Sequence, residues 1–246
     1  MLDAPTRSTV SLFVEFKCPK FQKKPPHSTI HIHTMSYSLW LVPHADGPFN
    51  KTVQELISDT VPRNFVPEKD IQSFTPHVTV TSGVDVGDKE PQQWLDQIQL
   101  PDDFKPEINE VLLELDSVEV EDAFFRKMTI AVKPNANLSK LAVSCRSQSS
   151  SSEKEDSAQI WAKNEYHPHL SLLYADVPAA DVKKKVPLIE MKLGFAFGDL
   201  FACCGGTLCF GGLLVLVDTS KSLSEWEIVA KRETPWAIWR ATKNLI

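Results

Sequence analysis

The pattern of apolar and polar positions along the chain divides into short runs of two periods. Residues 37–42, YSLWLV, are almost wholly apolar and end at Pro43, which predicts a strand. Asp46-Gly47-Pro48 reads as a turn, and Val53, Leu56 and Ile57 then recur at helical spacing over 49–60. Residues 77–84 are rich in valine and threonine and alternate, a strand; 91–100 opens on Pro91 and sets Trp94, Leu95 and Ile98 on one helical face. Residues 111–120 predict a strand pair or one long bent strand. Residues 127–132 predict a strand, and Leu138, Leu141 and Ala142 a helix from about Asn135 to 147. The serine-rich, charged stretch 145–157 reads as a mobile loop, with a helix end following near Ile160-Trp161. Residues 169–174 predict a strand, 179–193 a helix interrupted at Pro187, and 213–218 and 226–230 the last strands.

Set in order, these elements repeat. Strand, helix, strand, helix, strands over 37–120 is matched by the same succession over 127–218, a period of about 90 residues. The repeat carries a motif with it. Pro76-His77-Val78-Thr79-Val80 opens the second strand of the first half, and Pro168-His169-Leu170-Ser171-Leu172 the second strand of the second. Because i and i+2 share a face of a strand, His77 lies beside Thr79 and His169 beside Ser171. Two facing units of this kind supply two imidazoles and two hydroxyls around one centre. That set suits metal-independent hydrolysis of a phosphodiester: a neutral imidazole deprotonates water and a protonated one protonates the leaving oxygen. The hydroxyls hold the non-bridging oxygens where charge grows. A third match, Pro26-His27-Ser28-Thr29-Ile30, has no strand–helix unit before it and is set aside.

The remaining features bound the answer. The chain has 246 residues, 42% hydrophobic and 24% charged, enough for a sizeable core. A net charge of −6 argues against a long nucleic acid held by its backbone and for a small anionic ligand. The five cysteines, Cys18, Cys145, Cys203, Cys204 and Cys209, fit no zinc spacing and read as free thiols in a reducing compartment. No metal and no cofactor are expected. Residues 194–217 are long enough to span a bilayer, but Asp199 and the pairs Gly205-Gly206 and Gly211-Gly212 predict a buried helix, turn and strand instead. Residues 1–34, with His27, His31 and His33, read as an irregular extension, and 35–246 as one domain. His44 is expected in a surface turn, His167 is a candidate for the cleft rim, and Trp40 is read as core in preference to a nucleobase platform.

The paired motifs resemble those of the 2H phosphoesterase superfamily. YSLWLVP near residue 37, PHVTVTSG and HPHLSLLY are similar to the fungal 2′,3′-cyclic-nucleotide 3′-phosphodiesterases within it, over about 35–233. The resemblance implies an α+β, bilobal, pseudo-symmetric fold, two antiparallel-rich sheets flanking a central cleft with helices outside. It implies opening of 2′,3′-cyclic nucleotides to 2′-phosphates and of ADP-ribose 1″,2″-cyclic phosphate, a tRNA-splicing by-product. Catalytic roles fall on His77 and His169 and phosphate binding on Thr79 and Ser171, with Tyr174 lining the cleft. Tyr174 lies five residues after His169, so a bulge or the strand's end must re-aim it. The expected setting is a monomer, intracellular, in the cytoplasm or associated with the Golgi as in similar fungal proteins. Two other readings stand beside this one. RNA-end processing, by 2′–5′ ligation or exonucleolytic trimming, would need a basic track; a non-catalytic nucleotide-binding module would not need two proton carriers.

Overall fold

The computed structural model describes residues 37–100, 110–150, 154–204 and 208–245, within one compact unit spanning Thr34–Ile246. The expected N-terminal extension, with His27, His31 and His33, lies outside the described residues.

Among the described residues, nine strands and six α-helices follow in the order β1 (Tyr37–Val42), α1 (Pro48–Glu55), β2 (Val78–Val84), α2 (Pro91–Gln97), β3 (Val111–Glu119), then β4 (Met128–Val132), α3 (Ala136–Ser147), α4 (Glu155–Asn164), β5 (His169–Leu173), α5 (Ala179–Lys183), α6 (Val186–Cys204), β6 (Leu208–Phe210), β7 (Leu213–Asp218), β8 (Glu227–Glu233) and β9 (Ala237–Ala241). The α+β class and the strand–helix repeat follow the sequence pattern. The expectation of two sheets does not. The described strands form one sheet in the order β6-β9-β3-β4-β5-β2-β1-β7-β8. The reason lies at its middle, where the two motif strands pair directly, antiparallel, through Val78 and Leu170.

The order also exchanges strands between the halves. β2 and β1 are followed by β7, and β5 and β4 by β3. β3 of the first half therefore completes the second, and β7 of the second half completes the first.

Alternation along the strands separates two faces. Leu39 and Leu41 of β1, Val78 and Val80 of β2, Ile130 of β4 and Leu170 of β5 are fully buried in the main core under the helices. Phe49 of α1 and Phe197 of α6 meet there at 6.2 Å, and Phe49 meets Trp239 of β9 at 5.9 Å. Trp40, Val42, Val215 and Val217 form a smaller apolar cluster on the opposite face. That face also takes the residues flanking Val78 and Leu170, and so it carries both motifs.

Several local expectations change. α1 ends at Glu55 and a wider π turn carries Leu56–Thr60. α2 stops at Gln97. β3 is a single strand, bent by a register shift between Leu115 and Val118. The serine-rich stretch is shorter than expected, because α3 runs to Ser147 and α4 is a full helix from Glu155. Pro187 does not interrupt a helix: it lies in the first turn of α6, where its missing N–H costs nothing, and the break falls at Lys184-Lys185. α6 then continues to Cys204. Its expected burial is only partial, since Phe195 and Phe201 are exposed while Leu193 and Phe197 are buried. Among the described residues, no helix is long and apolar enough to cross a membrane. The expected strand entry at Gly211-Gly212 is present. Both glycines have positive φ, and a Cβ on Gly212 would collide with the Val42 carbonyl.

Candidate active site

Pairing of Val78 with Leu170 in an antiparallel ladder decides what stands where. One residue back on β2 meets one residue forward on β5, so His77 lies across from Ser171 and Thr79 across from His169. The two histidines are diagonal neighbours, about 7–8 Å apart at the backbone. All four side chains project to the face opposite the main core.

Both imidazoles are tethered alike. Nδ1 of His77 bonds to the Thr75 carbonyl at 2.6 Å and Nδ1 of His169 to the His167 carbonyl at 2.8 Å, each two residues back. A carbonyl oxygen only accepts, so Nδ1 carries the hydrogen and donates it. In the neutral ring this leaves the Nε2 lone pair free, and in the charged ring an Nε2–H. The tether thus fixes the tautomer that lets one nitrogen face the site and exchange a proton there.

Their surroundings differ. His77 is buried, and loss of hydration holds its pKa down to about 4, against the smaller opposing effect of the Thr75 carbonyl. The charge of His169 lowers it further, so each ring lies within electrostatic reach of the other. His169 is half-buried and also held below the ordinary value, first by burial. The His167 carbonyl opposes this, the Arg126 guanidinium adds to it, and Glu121 and Glu119 oppose it. Arg126 is paired with Glu121 at 2.7 Å. A cavity of about 610 Å³ opens beside His169, its wall including Glu119, Glu121, Arg126, Tyr166 and the exposed His167.

The hydroxyls fall in place around the pair. Thr79 is half-buried; Ser171 is buried, and its Oγ donates a long bond of 3.4 Å to the Phe125 carbonyl. Burial pushes the Tyr174 phenol up to about 12, against the smaller opposing effect of the nearby Ser171 hydroxyl. The bulge needed to re-aim Tyr174 exists. Thr129 pairs with Ser171 and Met128 with Leu173, which leaves Leu172 as the extra residue on β5. Leu173 turns into the main core, and Tyr174 stacks on Phe74 at 3.9 Å and meets Phe125 edge-on at 5.2 Å.

The five residues singled out from the sequence thus belong to one neighbourhood. Sequence reasoning missed the aromatic wall around it. Trp40 is buried, as core would be, yet it lies on the motif face with its indole flat against His77, 3.7 Å between centroids and 11° between planes. Trp226 meets Trp40 at 5.6 Å and stacks on Phe125 at 5.6 Å. Parity along β1 puts Trp40 opposite Leu39 and Leu41, and that signal was available; the pairing of β1 with β2 was not. His44 is exposed, as expected of a turn, and Cys145 and Cys209 are free thiols. Among the described residues, no group of three or more His, Cys, Asp or Glu side chains is placed to hold a metal ion.

The sequence also matches a known family. Residues 35–234 match the family described as cyclic phosphodiesterase-like protein. The chain belongs to that family. Within the cyclic phosphodiesterase-like family, the chain is 34% identical to a 2′,3′-cyclic-nucleotide 3′-phosphodiesterase of Phaeosphaeria nodorum over 200 residues, 80% of this chain and 97% of that protein. It is 29% identical to the protein of the same name from Neurospora crassa over 211 residues, 79% of this chain and 97% of that one. The Yarrowia lipolytica protein of that name is 28% identical over 224 residues, 81% of this chain and all of its own length. The family match takes in both motifs and stops at residue 234, one past the end of β8.

Proposed function

We propose that the chain is a 2′,3′-cyclic-nucleotide 3′-phosphodiesterase that yields nucleoside 2′-phosphates without a metal. The observation that carries the reading is the pair of imidazoles on adjacent strands, each tethered through Nδ1 and each within reach of the other's charge. The names of the relatives support the substrate class.

The cyclic phosphate lies between the rings, and its negative charge favours uptake of one proton by the pair. The neutral ring takes a proton from water through Nε2 as the water oxygen bonds to phosphorus. The bond from phosphorus to O3′ breaks, and O3′ takes its proton from Nε2–H of the charged ring. Phosphate stays on O2′. The hydroxyls of Thr79 and Ser171 donate to the non-bridging oxygens, and Tyr174 lines the cleft beside Ser171.

The test is a product-resolved assay on protein dialysed against EDTA. The expected result is conversion of 2′,3′-cyclic mononucleotides to 2′-phosphates with chelator present. Release of 3′-phosphates would overturn the leaving-group assignment; activity restored only by a divalent cation would overturn the metal-free mechanism. Binding without product would favour the sensing module instead. ADP-ribose 1″,2″-cyclic phosphate is a second arm. The resemblance suggests this substrate, the splicing link and the Golgi setting, and turnover of the compound is the arm's expected outcome.

A further inference from the structure

Two histidines with the same motif and the same backbone tether differ in what covers them, and the difference is an indole. Trp40 projects from β1 between Thr79 of β2 and Val215 of β7. Its ring lies flat on His77, and both residues are almost wholly buried. The corresponding position in the other half, paired with Ser171 as Trp40 is with Thr79, is Thr129. A threonine cannot cover a ring, and His169 instead lies half-buried near Arg126, Glu119 and Glu121.

A tether at Nδ1 fixes one edge of an imidazole but still allows the ring to tilt about it. A flat contact at 3.7 Å removes the tilt, because turning the plane would drive the ring edge into the indole. Trp226, edge-on to Trp40 at 5.6 Å, backs the indole in turn. We propose that Trp40 is a positioning residue for His77, resting on the hydrolytic reading above. Its indole holds the imidazole in the one plane that aims Nε2 at phosphorus, and by covering one face of that ring alone it makes the two proton carriers unequal. The charge felt at His77 is that of His169. Asp218 on β7 and Lys221 and Glu225 flanking Trp226 are other charged groups on the elements packed against it.

Trp40→Leu and Trp40→Phe are the test, with His77→Ala run alongside on 2′,3′-cyclic nucleotides. Trp40→Leu is expected to lower kcat by at least about 10-fold with KM within about 3-fold, since misaiming a proton carrier harms the reaction more than binding. The pH limb belonging to His77 is expected to move up by about one unit as water reaches the ring. Trp40→Phe, a smaller ring that still stacks, is expected to retain most of kcat and to move the limb less. Unchanged kcat and limb in Trp40→Leu, or equal losses in both variants with no shift, would overturn the positioning role. If Trp40→Leu does not fold, the NMR titration of the His77 ring in Trp40→Phe decides, and a curve identical to wild type overturns the proposal. Full activity in His77→Ala would instead sink the hydrolytic reading itself.

Discussion

Burial of His77 has a cost that a stability measurement can read. The imidazole has an ordinary pKa of 6.5 and is held at about 4 in the folded protein. Between those values the unfolded chain binds a proton that the folded chain refuses. Stability therefore rises with pH through the window from about 4 to 6.5, and falls as the solution is acidified through it. Each unit of pKa is worth about 1.4 kcal/mol, so this ring alone removes about 3 kcal/mol of stability between pH 7 and pH 4. That is a large share of the ~5–15 kcal/mol typical of a folded domain. The comparison variant is His77→Asn, whose side-chain N–H can still donate to the Thr75 carbonyl but does not titrate. The loss of stacking on Trp40 lowers its stability by the same amount at every pH and cancels from the difference. Urea unfolding from pH 4 to pH 7.5 should show wild type losing about 3 kcal/mol more than His77→Asn on acidification. Parallel curves, within about 0.5 kcal/mol of each other, would refute the claim that this ring is kept neutral by burial.

Other outcomes follow from the same geometry. Both imidazoles are held below 6.5 in the free protein, so the bell-shaped profile of kcat/KM should have its alkaline limb below pH 6.5; a limb above 7 would contradict that. Thr79→Ala and Ser171→Ala should each lower kcat by about 10²-fold, while Thr79→Ser stays within a few-fold, measured by steady-state kinetics. Tyr174→Phe keeps the stack on Phe74 and removes the hydroxyl beside Ser171, so kcat should fall by about 3- to 10-fold while unfolding stability changes by no more than about 1 kcal/mol. Phe197→Ala, far from the histidines in the main core, should cost about 3–5 kcal/mol and leave KM unchanged in the folded fraction.

The elements that were legible are those whose period is strong and whose partner does not matter. YSLWLV is almost wholly apolar because β1 is a central strand, buried on both faces, and no pairing is needed to see it. The motif faces were legible for a related reason: parity on one strand places His77 with Thr79 and His169 with Ser171 whatever lies alongside. What escaped depends on pairing. A repeat in element order is satisfied by two sheets of similar halves or by one sheet that exchanges strands, and only the contact of Val78 with Leu170 distinguishes them. Trp40 stacks on a residue 37 positions away, through a β1–β2 register that itself shifts between Leu39 and Trp40. β9 escaped because AIWRA is short and pairs in parallel with β3, far away in sequence. Pro187 was read as a break because an interior proline and a first-turn proline look identical until the helix start is known.

The exchange of β3 and β7 bears on how the two motifs are held together. β2 and β5 meet through a single residue pair, which by itself would be a weak seam. Yet β3 follows β2 in the chain and pairs with β4 beside β5, while β7 follows β5 and the short β6 and pairs with β1 beside β2. Parting the motif strands would therefore also strain β3 against β4 and β7 against β1, so the spacing of the two imidazoles is secured by ladders that lie outside the site. The repeated motif supplies the same Nδ1 tether to both rings; it cannot by itself make their surroundings unequal. That inequality comes from the residues in which the halves have diverged, an indole over one ring and a charged group of Arg126, Glu119 and Glu121 beside the other.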